Sequence, residues 1–287
     1  MKIQYLGTAA AEAVPALFCR CAHCEYARKV QGREVRTRSG AIVDGVLKID
    51  FGPDTFGQML KAGIDLTDLH SVLITHSHAD HFAVHDISYR RKGFANLPED
   101  EPPLVVYGNA KVGAMLAPFL NRWLEFRLME PFKTVEIEGY RVTPLQASHC
   151  VDHNGSEHPI VHEGKTYYRS EDALIYFIEK DGQSLLYAHD TSEFSPEDME
   201  FLAGRKIDLI SLDCTNAAYQ ADYVGHMGAA DNLRMRGKLM EIGAADENTV
   251  FVANHFSHNG NATHAEMVEA AAKYGMKVSY DGHCVEF

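Results

Sequence analysis

The chain reads His76-Ser77-His78-Ala79-Asp80-His81 directly after the apolar run Ser71-Val72-Leu73-Ile74-Thr75. A strand ending this way sets three imidazoles and a carboxylate at one sheet edge. Imidazole and carboxylate suit Zn, Mn and Fe. A neutral imidazole binds through one ring nitrogen, and an Asp nearby can serve a second ion. Four donors this close crowd a single tetrahedral ion but suit two ions side by side. The competing reading is a polar loop that happens to hold several histidines, and the rest of the chain argues against it.

Single donors stand at the ends of other apolar runs. His149 follows Tyr140-Arg141-Val142-Thr143-Pro144-Leu145, Asp190 follows Ser184-Leu185-Leu186-Tyr187-Ala188-His189, and His255 follows Val250-Phe251-Val252-Ala253-Asn254. Alone, His149 or His255 would be a satisfied core histidine. Beside the 76–81 cluster, the recurring strand-then-donor order makes each a ligand candidate.

That order resembles the metallo-β-lactamase superfamily along nearly the whole chain. The resemblance implies an αββα sandwich of α/β class, with one domain over 1–287. It implies one ion on His76, His78 and His149, a second on Asp80, His81 and His255, and Asp190 bridging them.

A cysteine cluster narrows the resemblance. Cys19-Arg20-Cys21-Ala22-His23-Cys24 has C-x-C-x-x-C spacing, and Cys₃His is a common closed zinc set. The other cysteines, Cys150, Cys214 and Cys284, are scattered, and no secretory signal precedes the first strand. This does not read as a disulfide framework. A reducing cytoplasm is the expected setting. Spacing leaves the fourth ligand open: His23 is too near, while Cys214 and His258 both qualify. With His255-Phe256-Ser257-His258, the cluster resembles the PhnP-type cyclic phosphodiesterases. That resemblance implies that His258 joins Cys19, Cys21 and Cys24 around a structural Zn²⁺ in an N-terminal loop at 19–24, while His255 serves the catalytic pair of Mn²⁺ or Zn²⁺ ions.

Composition fits an enzyme with a large interior. The 287 residues are 46% hydrophobic, and no apolar run approaches the roughly 20 residues of a membrane span, so no membrane partner is expected. A net charge of −13, from 27 Lys+Arg against 40 Asp+Glu, offers a polyanion no global attraction, so no large nucleic acid is expected. A homodimer is compatible with the chain.

The pattern predicts strands over Lys2–Leu6, a hairpin from Ser39 to Ile49 around Asp44-Gly45, and a helix from Thr55 to Ala62 ended by Gly63. It predicts a strand at Leu104–Tyr107, a helix through Val112 to Leu120, a buried strand from Ile207 to Leu212 and a helix over Gly228–Ile242. Ser195-Pro196-Glu197-Asp198 and Thr263-His264-Ala265-Glu266 read as helix starts, the second helix ending near Gly275.

Two dications about 3.5–4 Å apart can share one hydroxide and clamp an in-line displacement. For a small ribosyl cyclic phosphate, the departing oxygen needs a proton. By resemblance His226, in Tyr223-Val224-Gly225-His226-Met227, supplies it or holds the phosphate. The expected catalytic residues are His226, Asp80 and Asp50. Asp50 ends Val46-Leu47-Lys48-Ile49-Asp50 before Phe51-Gly52; a turn former is the plain reading, an acceptor orienting a ligand the functional one. His189 and Asn254 each precede a ligand, and alternation points them away from the metals. The stretch 151–172, with His153, His158 and His162, reads as an inserted hairpin or lid walling the pocket. Arg90, Arg91 and Lys92 could receive an anion or line a solvated helix face. Two alternatives remain open: a lactone or thioester hydrolase on the same ions, and a non-catalytic protein resembling the pyrroloquinoline-quinone biosynthesis relatives, which share the cysteine cluster.

Overall fold

The computed structural model describes residues 1–151, 159–162, 165–169, 173–218 and 225–287. The first sheet is built from β1 (Lys2–Gly7), β2 (Gly40–Val43), β3 (Leu47–Ile49), β4 (Ser71–Leu73), β5 (Leu104–Gly108) and β6 (Leu124–Leu128). The second begins with β7 (Val135–Ile137) and β8 (Tyr140–Gln146). A small antiparallel sheet of β9 (Cys150–Val151), β10 (Pro159–His162) and β11 (Lys165–Arg169) interrupts it. It resumes with β12 (Leu174–Lys180), β13 (Gln183–Ala188), β14 (Leu209–Asp213), β15 (Val250–Asn254) and β16 (Met276–Val278), and β17 (Cys284–Glu286) returns to pair with β1.

Each large sheet opens with antiparallel pairs and closes with parallel ones, β3 to β6 and β13 to β16. Strands covered on both faces read as continuous apolar runs, as Leu209–Asp213 and Val250–Asn254 do. Alternation then sorts the side chains. Leu185, Tyr187, Leu209 and Val252 meet Ile3, Tyr5, Val43 and Leu47 of the other sheet, forming the central core. Leu186, Ile210 and Phe251 point outward.

Helices cover both outer faces. They run α1 (Ala22–Val30), α2 (Thr55–Ala62), α3 (Val84–Ile87), α4 (Ala110–Leu116), α5 (Pro196–Leu202), α6 (Ala229–Glu241) and α7 (His264–Ala272). Leu202, Met235, Leu239, Met267 and Ala271 of α5, α6 and α7 seal the second sheet, while Ile87, Val112 and Leu116 of α3 and α4 seal the first. The result is the four-layer αββα sandwich. Among the described residues, no helix is long and apolar enough to cross a membrane.

Local expectations hold where capping chemistry is strong. Gly63 closes α2 with φ 65°, Asp44 and Gly45 make the β2–β3 turn with positive φ, and Ser195 and Thr263 form capping boxes on α5 and α7. The helix expected through Leu120 stops at Leu116, and a 3₁₀ turn carries Ala117–Phe119 around Pro118. The expected hairpin after His149 is present as β10 and β11, antiparallel. Its service as a lid, and His153 and His158, lie outside the described residues. The anion-receiving reading of Arg90 gives way. Its guanidinium holds Glu101 at 2.9 Å and the Trp123 carbonyl at 3.1 Å, bracing the loop after the histidine cluster. Arg91 lies over the Phe94 ring at 4.6 Å.

Candidate metal centre

Parallel strands deliver their C-terminal ends to one edge, and every expected donor leaves the sandwich there. β4 leads to His76, β8 to His149, β13 to Asp190 and β15 to His255. Asp50, Asp190 and His255 all adopt left-handed backbone, with φ of 59°, 56° and 64°. For non-glycine residues this conformation is sparse, costs of order 1–3 kcal/mol, and gathers at functional sites. Gly52 permits a close approach: a Cβ there would meet the Asp80 carbonyl oxygen at 2.0 Å.

Two donor groups result. His76, His78, His149 and Asp190 form one, Asp80, His81, Asp190 and His255 the other, with candidate ligand atoms within 4.8 Å in each. Asp190 belongs to both. Its Oδ2 lies 3.2 Å from both His76 Nε2 and His81 Nε2 and 3.9 Å from His255 Nε2, and its Oδ1 lies 3.1 Å from His149 Nδ1. Yet His76 Nε2, His81 Nε2, His149 Nδ1, His255 Nε2 and Asp190 Oδ1 are buried without an aligned hydrogen bond. Buried polar atoms are seldom left so. Several convergent nitrogens and a carboxylate lacking partners fit divalent cations.

The opposite ring nitrogens are firmly held. His81 Nδ1 lies 2.7 Å from Asp50 Oδ2, whose other oxygen accepts the Thr75 amide at 2.8 Å and hydroxyl at 2.9 Å. His255 Nδ1 lies 3.1 Å from Asp213 Oδ2 and 2.8 Å from the Thr215 hydroxyl. A carboxylate behind a ligating imidazole fixes its tautomer and orientation. Asp50 therefore stands where an orienting acceptor must. His189 and Asn254 hydrogen-bond each other at 3.0 Å, buried away from the donors as alternation requires.

Asp213 went unread in the sequence. It closes the run Ile207–Leu212 in the same strand-then-donor pattern that marks His149, Asp190 and His255, and that was its signal. Its carboxylate accepts the amides of Asp190, Thr215 and Met227 at 2.9–3.0 Å and lies 3.2 Å from His226 Nδ1. It thus ties four parts of the edge together, and Asp190, Asp213, His226 and His255 form a further donor group.

The cysteine cluster closes on one histidine. His258 Nδ1 lies 3.6 Å from Cys19 Sγ and 3.5 Å from Cys21 Sγ, and with Cys24 these four gather within 4.8 Å. Cys214 and His23 are not in the group, and His258 is its fourth donor. Cys21 also caps α1, accepting the Cys24 amide. Burial raises the Cys21 thiol, but the Cys24 amide and His258 pull it down to about 6, whereas burial pushes Cys24 up to about 12. The donor set, three thiols and an imidazole, suits zinc.

A family profile described as a beta-lactamase superfamily domain matches residues 47–283. The chain belongs to the metallo-β-lactamase superfamily. Among solved structures it is similar to Zn²⁺-bound PqqB from Methylobacterium extorquens, with TM-score 0.74 and 18% identity over 100% of both chains. It is similar to a diphosphatase from the PhnP family, with TM-score 0.68 and 21% identity over 100% of this chain and 97% of that one. Human tRNase Z, short form, aligns with TM-score 0.60 and 14% identity over 100% of this chain and 99% of that one. Among curated proteins, none matches the chain.

In this superfamily member the edge opens into a cavity of about 290 Å³, lined by His78, Asp80, His149, Asp190, His226 and His255 among others. Electrostatics divides the histidines. Burial pushes His149 down to about 3 despite Asp190. Burial disfavours charge on His81 too, but Asp80 and Asp50 hold it well above the usual imidazole range. Burial would raise Asp190, yet His149, His255 and His226 keep it well below the ordinary carboxylate range. Burial opposes a charged His226, while Asp213 and Asp190 raise it to about 9. Lys48, fully buried, donates to the Asp50 carbonyl at 2.6 Å and braces the turn behind His81.

Proposed function

We propose that the chain is a metal-dependent phosphodiesterase that opens a small ribosyl cyclic phosphate. The observation that carries this reading is the pair of donor groups sharing Asp190, with orphaned buried donor atoms, those of His149, Asp190 and His255 on residues that line a small cavity. His76, His78 and His149 would hold one divalent ion and Asp80, His81 and His255 the other; Cys19, Cys21, Cys24 and His258 would hold a structural zinc. The catalytic pair, manganese or zinc, would supply Lewis-acid polarisation and activated water at neutral pH. Asp50 and Asp213 keep His81 and His255 in the tautomer that presents Nε2. His226 borders the cavity 3.3 Å from Asp190, placed to give a proton to the departing ribose oxygen. A volume of about 290 Å³ sits at the low end of the ~300–1,000 Å³ range for ligand pockets and favours a small diester over a folded RNA.

The non-catalytic alternative finds support in the likeness to PqqB. The intact donor groups weigh against it, since a binding protein has no need of seven converging ligands. A panel of cyclic and linear phosphodiesters, lactones and thioesters, offered to the metal-loaded chain, tests the assignment. Cleavage of ribosyl cyclic phosphates is expected. Turnover of lactones or thioesters alone would overturn the substrate class, and inertness toward the whole panel would favour the binding reading.

A further inference from the structure

Glu12 stands where the two candidate metal sites meet. It lines the cavity of the donor groups and also borders a second cavity of about 390 Å³ with Leu17, Phe18 and Cys19. Its Oε1 accepts the Ser257 hydroxyl and lies 3.7 Å from His258 Nε2. His258 turns its other nitrogen to Cys19 and Cys21. The Ser257 contact holds the carboxylate in place, while its side chain stays 31% exposed. Among the described residues, three carboxylates line the donor cavity: Asp80, Asp190 and Glu12. Asp80 and Asp190 belong to the donor groups, and Glu12 to none among the described residues. Cations at the donor groups would therefore neutralise the two aspartates and leave Glu12 as a fixed negative charge on the cavity wall.

We propose that Glu12 is a charge-selectivity residue, which admits a monoanionic phosphodiester and disfavours any ligand carrying a second negative charge. The place of this device in turnover rests on the phosphodiesterase reading. Water adds to phosphorus as one P–O ester bond breaks. The water oxygen stays on phosphorus, one of its protons goes to the departing alkoxide, and the product is a monoester. A phosphate monoester loses its second proton near pH ~6 and is mostly a dianion at neutral pH. A diester keeps a single charge. Repulsion from a fixed carboxylate grows with ligand charge and is strong where water is partly excluded. The wall thus opposes retention of the product more than entry of the substrate.

The test uses the metal-loaded full-length chain and two probes at pH 8, inorganic phosphate as dianion and dimethyl phosphate as monoanion, titrated by calorimetry. Glu12→Gln keeps the size and the acceptor for Ser257 but removes the charge. It should bind phosphate on the order of tenfold more tightly, the effect of one removed unit charge at moderate effective dielectric. Dimethyl phosphate should change much less. Glu12→Asp keeps the charge and should keep the weak phosphate binding. Equal shifts for both anions, or no shift for phosphate, would overturn the proposal. So would weakening of both anions together with loss of the cysteine-site zinc, because Glu12 would then be a strut. Binding needs no turnover, so the two readings separate. Charge selectivity without diester hydrolysis would remove the proposed activity alone, and hydrolysis without selectivity would remove the role of Glu12 alone.

Discussion

Replacing Asp50 with Asn tests the link between the buried carboxylate and the second ion. Asp50 is fully buried and takes three hydrogen bonds, from His81 Nδ1 at 2.7 Å and from the Thr75 amide and hydroxyl at 2.8 and 2.9 Å. All three partners face it as donors while His81 keeps Nε2 free for a cation. Asparagine has one carbonyl oxygen and one NH₂. If the oxygen stays on Thr75, the NH₂ confronts His81 Nδ1–H. The imidazole then moves its proton to Nε2, which becomes useless as a ligand, or the ring turns away. If the amide flips, the clash moves to Thr75. Either way one buried donor is left unsatisfied, at a cost of about 1–3 kcal/mol. Loss of such an outer partner generally costs ~10–100-fold in metal affinity or activity, about 1.4–2.8 kcal/mol by the tenfold-per-1.4 rule. Competition with a chelator should show one of the two catalytic ions weakened by this factor, the other nearly unchanged, and excess metal should restore most of the rate. An Asp50→Asn chain that binds both ions like the parent would refute the carboxylate–imidazole argument.

Three further outcomes follow from the same geometry. Cys21→Ser should release the cysteine-site zinc and lower the melting temperature, because binding at a structural site is coupled to folding; elemental analysis should fall from about three ions to about two, and an unchanged count would dismiss the site. His226→Ala should slow hydrolysis of a ribosyl cyclic phosphate by on the order of 10²–10⁴ and an activated aryl diester far less; equal losses would make His226 a phosphate holder instead. Gly52→Ala should displace the 76–83 loop, since the new methyl would sit 2.0 Å from the Asp80 carbonyl oxygen, and should weaken metal binding more than it lowers thermal stability; a chain with normal metal affinity would show that the loop yields freely.

Much of the candidate site was legible because metal chemistry restricts residue type. Only a few side chains bind borderline cations, and His76, His78, Asp80 and His81 lie together in the chain after one strand. His149, Asp190 and His255 stood out because each ends an apolar run, and the αββα reading followed from the same order. Asp213 ends such a run too, but a lone strand-end Asp has many ordinary uses, and its five converging partners come from separate segments. The cysteine loop declared itself by spacing, while its fourth member did not. Cys214 and His258 both qualified in one dimension, and the pairing of the Thr8–Ala10 segment with Phe256 carries His258 to the thiols. The same pairing brings Glu12 to the donor cavity, 245 positions from the serine that holds it. Donor identity is thus a property of side-chain chemistry, which the sequence states outright. Which donors share an ion, which carboxylate orients which imidazole, and which charge faces the substrate depend on strand register and on the edge where parallel strands end, and those are settled only when the two sheets close.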